Sequence, residues 1–368
     1  MSKKLKVLVI LLLVVFVLSV FAGCAPKQTT QPEEKIKVAV ILSGVRNDGS
    51  WNQAHYEGMV YLQEQLSYVE ATVSENVTQD AAEKVIRDYA NQGYKVIFTC
   101  EYGYMDPTVN VAKDFPDVVF ENCSGYKSAD NMGNYFGRIY QADYLSGLVV
   151  GKMTKSNYIG VVAPFSIPQI VREIDAFTIG VRQVNSKAEV HVVWLNSWFD
   201  PVNEALATNA LLASGADVIE SLIGDSAPIT EAEKAGKYSV GYYYDKSSVA
   251  PTSVLTSRVF HWGVYYVQCL KAVHDGTWTS EPYWGQMSTG VVDLAPYGSM
   301  VPQDVRTFVD QKKQEIIAGT YDPFDGPIYD QQGNLKVKQG EQLSDADKQS
   351  LQWFVQGVIG TIPVSGGS

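Results

Sequence analysis

The residues best suited to bind a ligand lie in one short segment, Asp48-Gly-Ser-Trp-Asn-Gln-Ala-His55. The segment falls between the first predicted strand and the first predicted helix. Trp51 offers a flat ring for stacking, and the neighbouring hydroxyl and amide side chains can hydrogen-bond to the edge of a stacked ligand. Asn52 or Ser50 could instead cap the helix, and Trp51 could fill a core. Trp51 and Asn52 are therefore the first two candidate ligand-binding residues.

Polar side chains at the ends of later predicted strands are further candidates. Asp225 and Asp245 each follow an apolar strand pattern, and Asn122 stands at an equivalent place. An ionised carboxylate only accepts hydrogen bonds, so it suits a ligand that presents N–H groups. Asp225 could alternatively cap the following helix or form a turn. The aromatic candidates, which would stack on or enclose the same ligand, are Trp198, Tyr102 and Tyr104.

Motifs for catalysis or cofactor binding are absent from the sequence. It contains no GxxxxGK[ST], GxGxxG, HExxH or GxSxG pattern, and its four histidines are scattered. No pair of cysteines completes the spacing of a metal site. We therefore predict a binding protein that is not an enzyme, with no cofactor, no metal and no catalytic residues.

The pattern of apolar residues predicts strands that alternate with helices. The predicted strands are Ile36–Leu42, Val69–Val73, Val96–Phe98 and Val118–Phe120 in a first series, then Tyr158–Ala163, Val190–Leu195, Asp217–Ile219 and Tyr238–Tyr243 in a second. This alternation favours βαβ units, and hence parallel sheets with helices on both faces. Two series of similar length predict an α/β fold with two similar doubly wound parallel-sheet lobes joined by a hinge. The ligand is then expected in the cleft at the carboxyl ends of the strands.

The amino-terminal segment has the pattern of a bacterial lipoprotein signal. Lysines precede an apolar run from Val7 to Ala22, which is shorter than the roughly 20 residues that span a bilayer. Cys24 is the predicted site of cleavage and lipidation. We predict a signal peptide over 1–23 and a flexible tether over 24–35, against the alternative of an uncleaved anchor helix. The mature protein is thus expected outside the cytoplasm, anchored to the cell membrane by its lipid.

Composition and charge exclude other classes of protein. The chain has 368 residues, of which 46% are apolar and 19% charged, and a formal net charge of −11. Nucleic-acid binding is disfavoured, because it needs clustered lysine and arginine. Three cysteines follow Cys24, and an odd number excludes a full disulfide framework. A bridge between Cys100 and Cys123 and buried free thiols are the alternatives, and we favour free thiols.

Several of these features occur together in a known family. The signal ending at Cys24, the Asp48–His55 loop, the glycine pattern of Tyr144–Gly151 and the Gly241–Asp245 segment resemble the basic membrane protein (BMP) family, in the same order along the chain. Members are lipoprotein substrate-binding components of ABC transporters, and many bind purine nucleosides. The resemblance implies a type I periplasmic-binding-protein-like fold, with an ABC permease and ATPase as partners. We expect a monomer.

Other segments are more similar to a branch of this family that is associated with purine bases. Nucleoside-binding members have Phe where Trp51 stands, and they place an Asp in the segment that reads Glu121–Ser124 here. These departures favour a free purine base, such as adenine, hypoxanthine or guanine, over a nucleoside. The segments that resemble the purine-base branch are Trp51 with His55, Asn196–Pro201, Trp284–Gly285 and Phe324–Ile328.

The family analogy and the strand count also predict the lobes. We expect lobe one to comprise 36–137 plus 246–282, and lobe two 138–245 plus 283–368. Alternative functions are the same fold binding a sugar or a signalling molecule, a surface sensor, and an enzyme acting on nucleosides. Sugar sites usually need more charged and amide groups converging on hydroxyls, and no nucleophile–base spacing supports the enzyme.

Overall fold

The computed structural model describes residues 35–363. The predicted signal peptide, the lipidation site Cys24 and the tether up to residue 34 lie outside the described residues. Within the described part, no helix is both long enough and apolar enough to cross a membrane.

The first sheet has six strands in the order β11-β5-β4-β3-β1-β2, and all of their pairs are parallel. The strands are β1 (Ile36–Ile41), β2 (Val69–Ser74), β3 (Val96–Thr99), β4 (Val119–Cys123), β5 (Met132–Gly137) and β11 (Tyr283–Gly285). The helices packed with this sheet are α1 (Trp51–Gln65), α2 (Gln79–Asn91), α3 (Met105–Ala112) and, returning from later in the chain, α8 (Trp262–His274).

The second sheet has seven strands in the order β12-β10-β9-β8-β6-β7-β15. They are β6 (Tyr158–Ala163), β7 (Glu189–Trp194), β8 (Val218–Ser221), β9 (Tyr238–Tyr243), β10 (Val254–Phe260), β12 (Val292–Leu294) and β15 (Val358–Ile359). Only the pair of β10 with β12 is antiparallel. The helices of this half are α4 (Tyr140–Met153), α5 (Pro168–Val184), α6 (Pro201–Ala213), α7 (Ala227–Lys234), α9 (Gln303–Ile317) and α10 (Asp345–Gln349), with a hairpin of β13 (Ile328–Tyr329) and β14 (Leu335–Val337).

The two sheets repeat one connectivity. The order β2-β1-β3-β4-β5 in the first corresponds to β7-β6-β8-β9-β10 in the second. The direction of winding reverses between β1 and β3, and again between β6 and β8. In open α/β sheets, ligands bind at such switch points, beyond the carboxyl ends of the strands. The predicted fold class, two doubly wound parallel lobes, is confirmed.

Two strands lie in the sheet opposite to the one expected. β10 joins the second sheet beside β9, although 246–282 were predicted in lobe one, and β11 joins the first sheet beside β5, although 283–368 were predicted in lobe two. The side chain of Arg258 in β10 binds carboxylates of the second half, in agreement with the placement of this strand. The chain therefore passes between the sheets after β5, after β10 and after β11.

A buried ionic cluster ties β8, β10 and α4 together. Arg258, which is fully buried, donates to Asp143 at 2.7 Å, to Glu220, and to the carbonyl of Ser221 at 2.5 Å. Burial raises the pKa of Glu220 to about 8 and that of Asp143 well above its usual range, in spite of the guanidinium. The cluster thus depends on one cation to offset two acidic groups.

The cysteines of the described residues, Cys100, Cys123 and Cys269, are buried free thiols. Burial raises the pKa of Cys100 to about 12, so this thiol is a poor nucleophile at neutral pH. The structure agrees with the free-thiol alternative rather than with a Cys100–Cys123 bridge.

Helices α4 and α5 approach closely because glycines face the partner backbone. A Cβ atom on Gly147 would collide with the carbonyl oxygen of Phe177, and one on Gly180 would collide with that of Tyr144. The glycine pattern of Tyr144–Gly151 therefore serves helix packing, which positions the hinge end of α4.

Replacing Gly147 with valine is expected to destabilise the fold by about 1–3 kcal/mol, because the backbone of α5 must move to admit the new side chain. Urea unfolding measures the loss. The control is Ala213→Val at an exposed site of α6, which should change stability by no more than about 0.5 kcal/mol. Equal unfolding midpoints for the two variants would disprove the packing argument.

Candidate ligand-binding site

The loop between β1 and α1 is braced by its own side chains. Asp48 accepts hydrogen bonds from the backbone amides of Ser50, Gln53 and Asn52 at 2.8, 3.0 and 3.1 Å. Asn52 accepts from the amide of Gly44 at 3.1 Å and donates to Asp48 at 2.9 Å. The helix is thus capped by Asp48, not by Ser50 or Asn52, and Asn52 clamps the loop instead of presenting a free amide.

Trp51 lies half-buried at the first position of α1. Its indole N–H donates to the carbonyl of Cys100 at 2.7 Å, which ties the ring to the loop after β3. Edge-to-face contacts surround it, with centroid distances of 4.7 Å to His55, 5.0 Å to Tyr243 and 6.0 Å to Phe260. Tyr243 and Phe260 belong to the second sheet, so both lobes hold the Trp51 ring in place.

Backbone strain is found at the same edge of the sheets. Three non-glycine residues near the ends of β4, β7 and β9 have left-handed backbones, with φ of 67° at Ser124, 53° at Asn196 and 67° at Tyr243. Such residues cost about 1–3 kcal/mol each and cluster at functional sites. These three residues lie at the same edge of the sheets as Trp51, although Asn157, before β6 at the other end, has a left-handed backbone too.

The candidates after β3 and β4 have different surroundings. Tyr102 is 52% exposed, and its ring lies 6.4 Å from that of Tyr126. Tyr104 is buried and donates its hydroxyl to the carbonyl of Val77, so it supports the lobe, and its part in a pocket wall stays a prediction. Asn122 is also buried, and its amide donates to the carbonyl of Thr99 at 3.2 Å. Asn122 therefore fastens the ends of two adjacent strands.

The two aspartates at strand ends of the second sheet both organise turns. Asp225 is half-buried and accepts from the amide of Ala227 at 2.7 Å, which caps the start of α7. Asp245 accepts from the amide of Ser247 at 2.9 Å. Each uses one carboxylate oxygen in this way. Asp225 therefore caps a helix, which is the alternative predicted for it. The other carboxylate oxygen of Asp225 is the atom available to a ligand.

Trp198 belongs to another ring cluster than Trp51. It is 46% exposed, and its ring centroid lies 5.5 Å from that of Phe165, in the loop after β6. The structure groups Trp198 with the second switch point. The prediction that a ligand stacks between Trp51 and Trp198 stays a prediction.

Lys246 joins the two lobes. Its Nζ atom donates to the carbonyl of Gly49, in the loop after β1, at 2.6 Å and to that of Gly224, in the loop after β8, at 2.7 Å. Burial lowers the pKa of Lys246 to about 8, and the nearby carboxylates of Asp48 and Asp225 oppose this effect. The loops meet so closely that a Cβ atom on Gly224 would collide with the hydroxyl of Ser50.

Sequence reasoning missed four residues of this region. Tyr243 ends a predicted strand and Phe260 ends β10, but only the three-dimensional fold brings them to Trp51. Lys246 and Glu204 carried a detectable signal. Lys246 directly follows a strand-end aspartate, and Glu204 is the only charged residue in the otherwise apolar or neutral helix Pro201–Ala213.

Comparison with known proteins adds independent information. Residues 35–322 match the family described as Bmp, ABC transporter substrate-binding protein PnrA-like. A purine-binding protein of Brucella abortus is 40% identical over 94% of this chain and 99% of its own length. A putative ABC transporter glucose-binding protein of Haloferax volcanii is 35% identical over 90% of this chain and 82% of its own length.

Solved structures share the fold. A solute-binding protein of an ABC transporter system from Conexibacter woesei has a TM-score of 0.66 at 21% identity, covering 78% of this chain and 98% of that one. A transcriptional activator of the comK gene from Bacillus halodurans has a TM-score of 0.68 at 23% identity, with coverage of 78% and 99%. At these identities the likeness concerns the architecture alone.

Proposed function

The chain belongs to the Bmp family of PnrA-like ABC transporter substrate-binding proteins, and from this premise we propose that it captures a purine base in the cleft between its lobes. Such proteins act outside the cytoplasm and work with the other components of an ABC transporter. The prediction that the chain is not an enzyme is confirmed by the family. Family membership does not establish that the ligand is a purine, which residues contact it, or that a lipid anchors the protein; we propose these three points.

The observation that carries the proposal is the setting of Trp51. Its ring lies at the first switch point, it is fixed by the indole hydrogen bond to Cys100, and aromatic rings from both lobes pack around it. A flat heteroaromatic ligand gains about 1–3 kcal/mol by stacking on such a ring. The 40% identity to a purine-binding protein supports the same ligand class.

A sugar is the second candidate ligand. It is favoured by the 35% identity to a putative glucose-binding protein, and tryptophan faces also pack against sugar rings. A sugar site needs polar side chains free to meet several hydroxyls. Asn52 is committed to the protein itself, which leaves fewer polar side chains for several hydroxyls and supports a purine over a sugar.

Mass spectrometry of the small molecules released from purified, denatured protein tests the ligand class. We expect a purine base in an amount comparable to the protein. A hexose in that amount would replace the purine proposal by the sugar one. A purine nucleoside would retain the purine class but overturn the preference for a free base.

Asp225 is proposed to read the N–H groups at the edge of the base. Replacing it with asparagine should weaken binding of a donor-bearing purine by at least about 1.5 kcal/mol, since a charged acceptor is lost. It should also change the ranking among adenine, guanine and hypoxanthine in calorimetry. The control is Asp117→Asn, at an exposed site before β4, which should leave the affinities and their ranking unchanged. If all purines lost affinity equally, Asp225 would be a scaffold residue and not a reader.

Cys24 is proposed to carry the lipid anchor. Substitution by serine should release the protein from the membrane fraction or leave it with an uncleaved signal, because a hydroxyl does not take the thioether-linked lipid. Cell fractionation and intact mass measure the outcome. Membrane retention with the wild-type mass would rule the anchor out.

A further inference from the structure

Two carboxyl groups meet at the carboxyl end of the second sheet. Glu204, near the start of α6, is fully buried, and its Oε1 atom accepts from the amide of Asp200 at 2.8 Å. Its Oε2 atom is buried too, and no N–H or hydroxyl donor of the described residues reaches it. The carboxyl of Asp225 lies within hydrogen-bonding reach of the Glu204 side chain. Because two carboxylates can only accept, a hydrogen bond between them requires a proton.

We infer that Glu204 is a positioning residue that holds Asp225 through a shared proton, and that this proton couples ligand capture in the cleft to pH. The inference rests on the proposed function, in which Asp225 meets the purine. Glu204 itself is buried behind Asp225, so it acts on the ligand through that residue.

The charges around the pair come from three elements. Burial raises the pKa of Glu204 to about 7, and the carboxyl of Asp225 acts in the same direction. Asp200, at the start of α6, lowers this pKa through its backbone amide and raises it, by less, through its negative charge. Lys246, in the loop after β9, is a nearby cation, and the charges of Asp225 and Glu204 both act to raise its pKa. The carboxylate of Asp48, from the first lobe, also acts to raise the pKa of Lys246. The pair thus has one nearby cation and two further carboxylates around it.

The direction of the pH effect follows from this arrangement. Below neutral pH, Glu204 carries the proton and donates it to Asp225, which keeps one oxygen on the amide of Ala227 and presents a charged acceptor to the cleft. As the pH rises through the raised pKa of Glu204, the Glu204 carboxyl loses its proton and repels the carboxylate of Asp225. Asp225 is then displaced, so affinity for a ligand that donates to it falls.

Calorimetry with hypoxanthine between pH 6 and pH 8.5 tests the coupling. In the wild type, affinity should fall by about 30-fold over this range, since each pH unit above the pKa costs about tenfold. Titrations in two buffers of different ionisation enthalpy should show proton uptake on binding at pH 8. In Glu204→Gln, which can still accept from Asp200 and donate to Asp225, both effects should be much smaller. What remains comes from Lys246, whose pKa of about 8 lies within the range tested.

The matched control is Glu189→Gln. Glu189 is exposed at the opposite end of the same lobe, at the start of β7. This variant should keep the pH profile of the wild type. If Glu204→Gln also kept that profile, the coupling would be overturned.

A measurement without ligand separates this inference from the proposed function. In carbon-13 spectra of the free protein, the carboxyl signal that is missing in Glu204→Gln should titrate near neutral pH, and Asp225→Asn should lower its midpoint. Titration of Glu204 in the ordinary range of exposed glutamates would overturn the shared proton, whether or not purines bind. If Glu204 titrated near neutral pH but the protein bound no purine, the shared proton would stand. Its coupling to purine capture and the proposed function would both be refuted.

Discussion

Trp51→Ala is expected to weaken purine binding by about one to two orders of magnitude, because one stacking face is worth about 1–3 kcal/mol per base. The loss should appear for every purine tested, since each base has the same kind of flat face. Isothermal titration with one base, supported by thermal unfolding to show that the variant is folded, measures the effect.

Two further variants make the Trp51 result specific. Trp51→Phe keeps a ring but removes the donor to Cys100, so it should bind with an affinity between those of the wild type and the alanine variant. Trp353→Ala removes a partly buried tryptophan that lies beside Lys336 in the carboxyl-terminal segment, and it should leave the affinity unchanged. Wild-type affinity in Trp51→Ala would mean that the ring serves packing alone.

Arg258→Met should destabilise the protein by about 3–5 kcal/mol at neutral pH, because it leaves the carboxyls of Asp143 and Glu220 buried without their cation. The loss of Arg258 raises the pKa values of both acids further. A raised pKa in the folded state favours the protonated form, so its contribution to stability is present at low pH and is lost as the pH rises. The difference from the wild type should therefore be larger at pH 8 than at pH 5.

Urea unfolding at the two pH values checks this expectation. Arg87→Met is the control, since Arg87 pairs with Asp114 at the surface, where an ion pair contributes about 0–1 kcal/mol. A difference from the wild type that is the same at pH 5 and pH 8 would show that Arg258 acts by its size and not by its charge.

The alternation of strands and helices was readable from the sequence, but the membership of each sheet was not. The hydrophobic pattern indicates that Val254–Phe260 is a buried strand, but it does not indicate which strand lies beside it in the sheet. The pairing depends on tertiary contacts, and those of Arg258 are with carboxylates more than 30 residues away along the chain.

One central strand was missed for a local reason. Met132–Gly137 contains two glycines and an asparagine, which are depleted in strands. The glycines are required by close neighbours, since a Cβ on Gly133 would lie 2.9 Å from the carboxylate of Glu121, and one on Gly137 would meet the side chains of Val292 and Phe260. Tertiary packing therefore overrides the local preference of this segment.

In the candidate site, too, some features could be predicted from the sequence and others could not. The position of Trp51 after the first strand was predictable, because strand–loop–helix order places it at the cleft. The hydrogen bonds of Asn52 and Tyr104 to the protein's own backbone could not be predicted. Their partners, Gly44 and Val77, are distant in sequence or lie in loops. Spacing alone cannot distinguish a side chain that reads a ligand from one that fastens a loop.

The most direct test of purine capture is a calorimetric titration of ligand-free protein with adenine, hypoxanthine, guanine, inosine and glucose. The account predicts saturable one-to-one binding of at least one purine base, at least about tenfold tighter than inosine, and no binding of glucose. Saturable binding of glucose, with none of the purines bound, would contradict it.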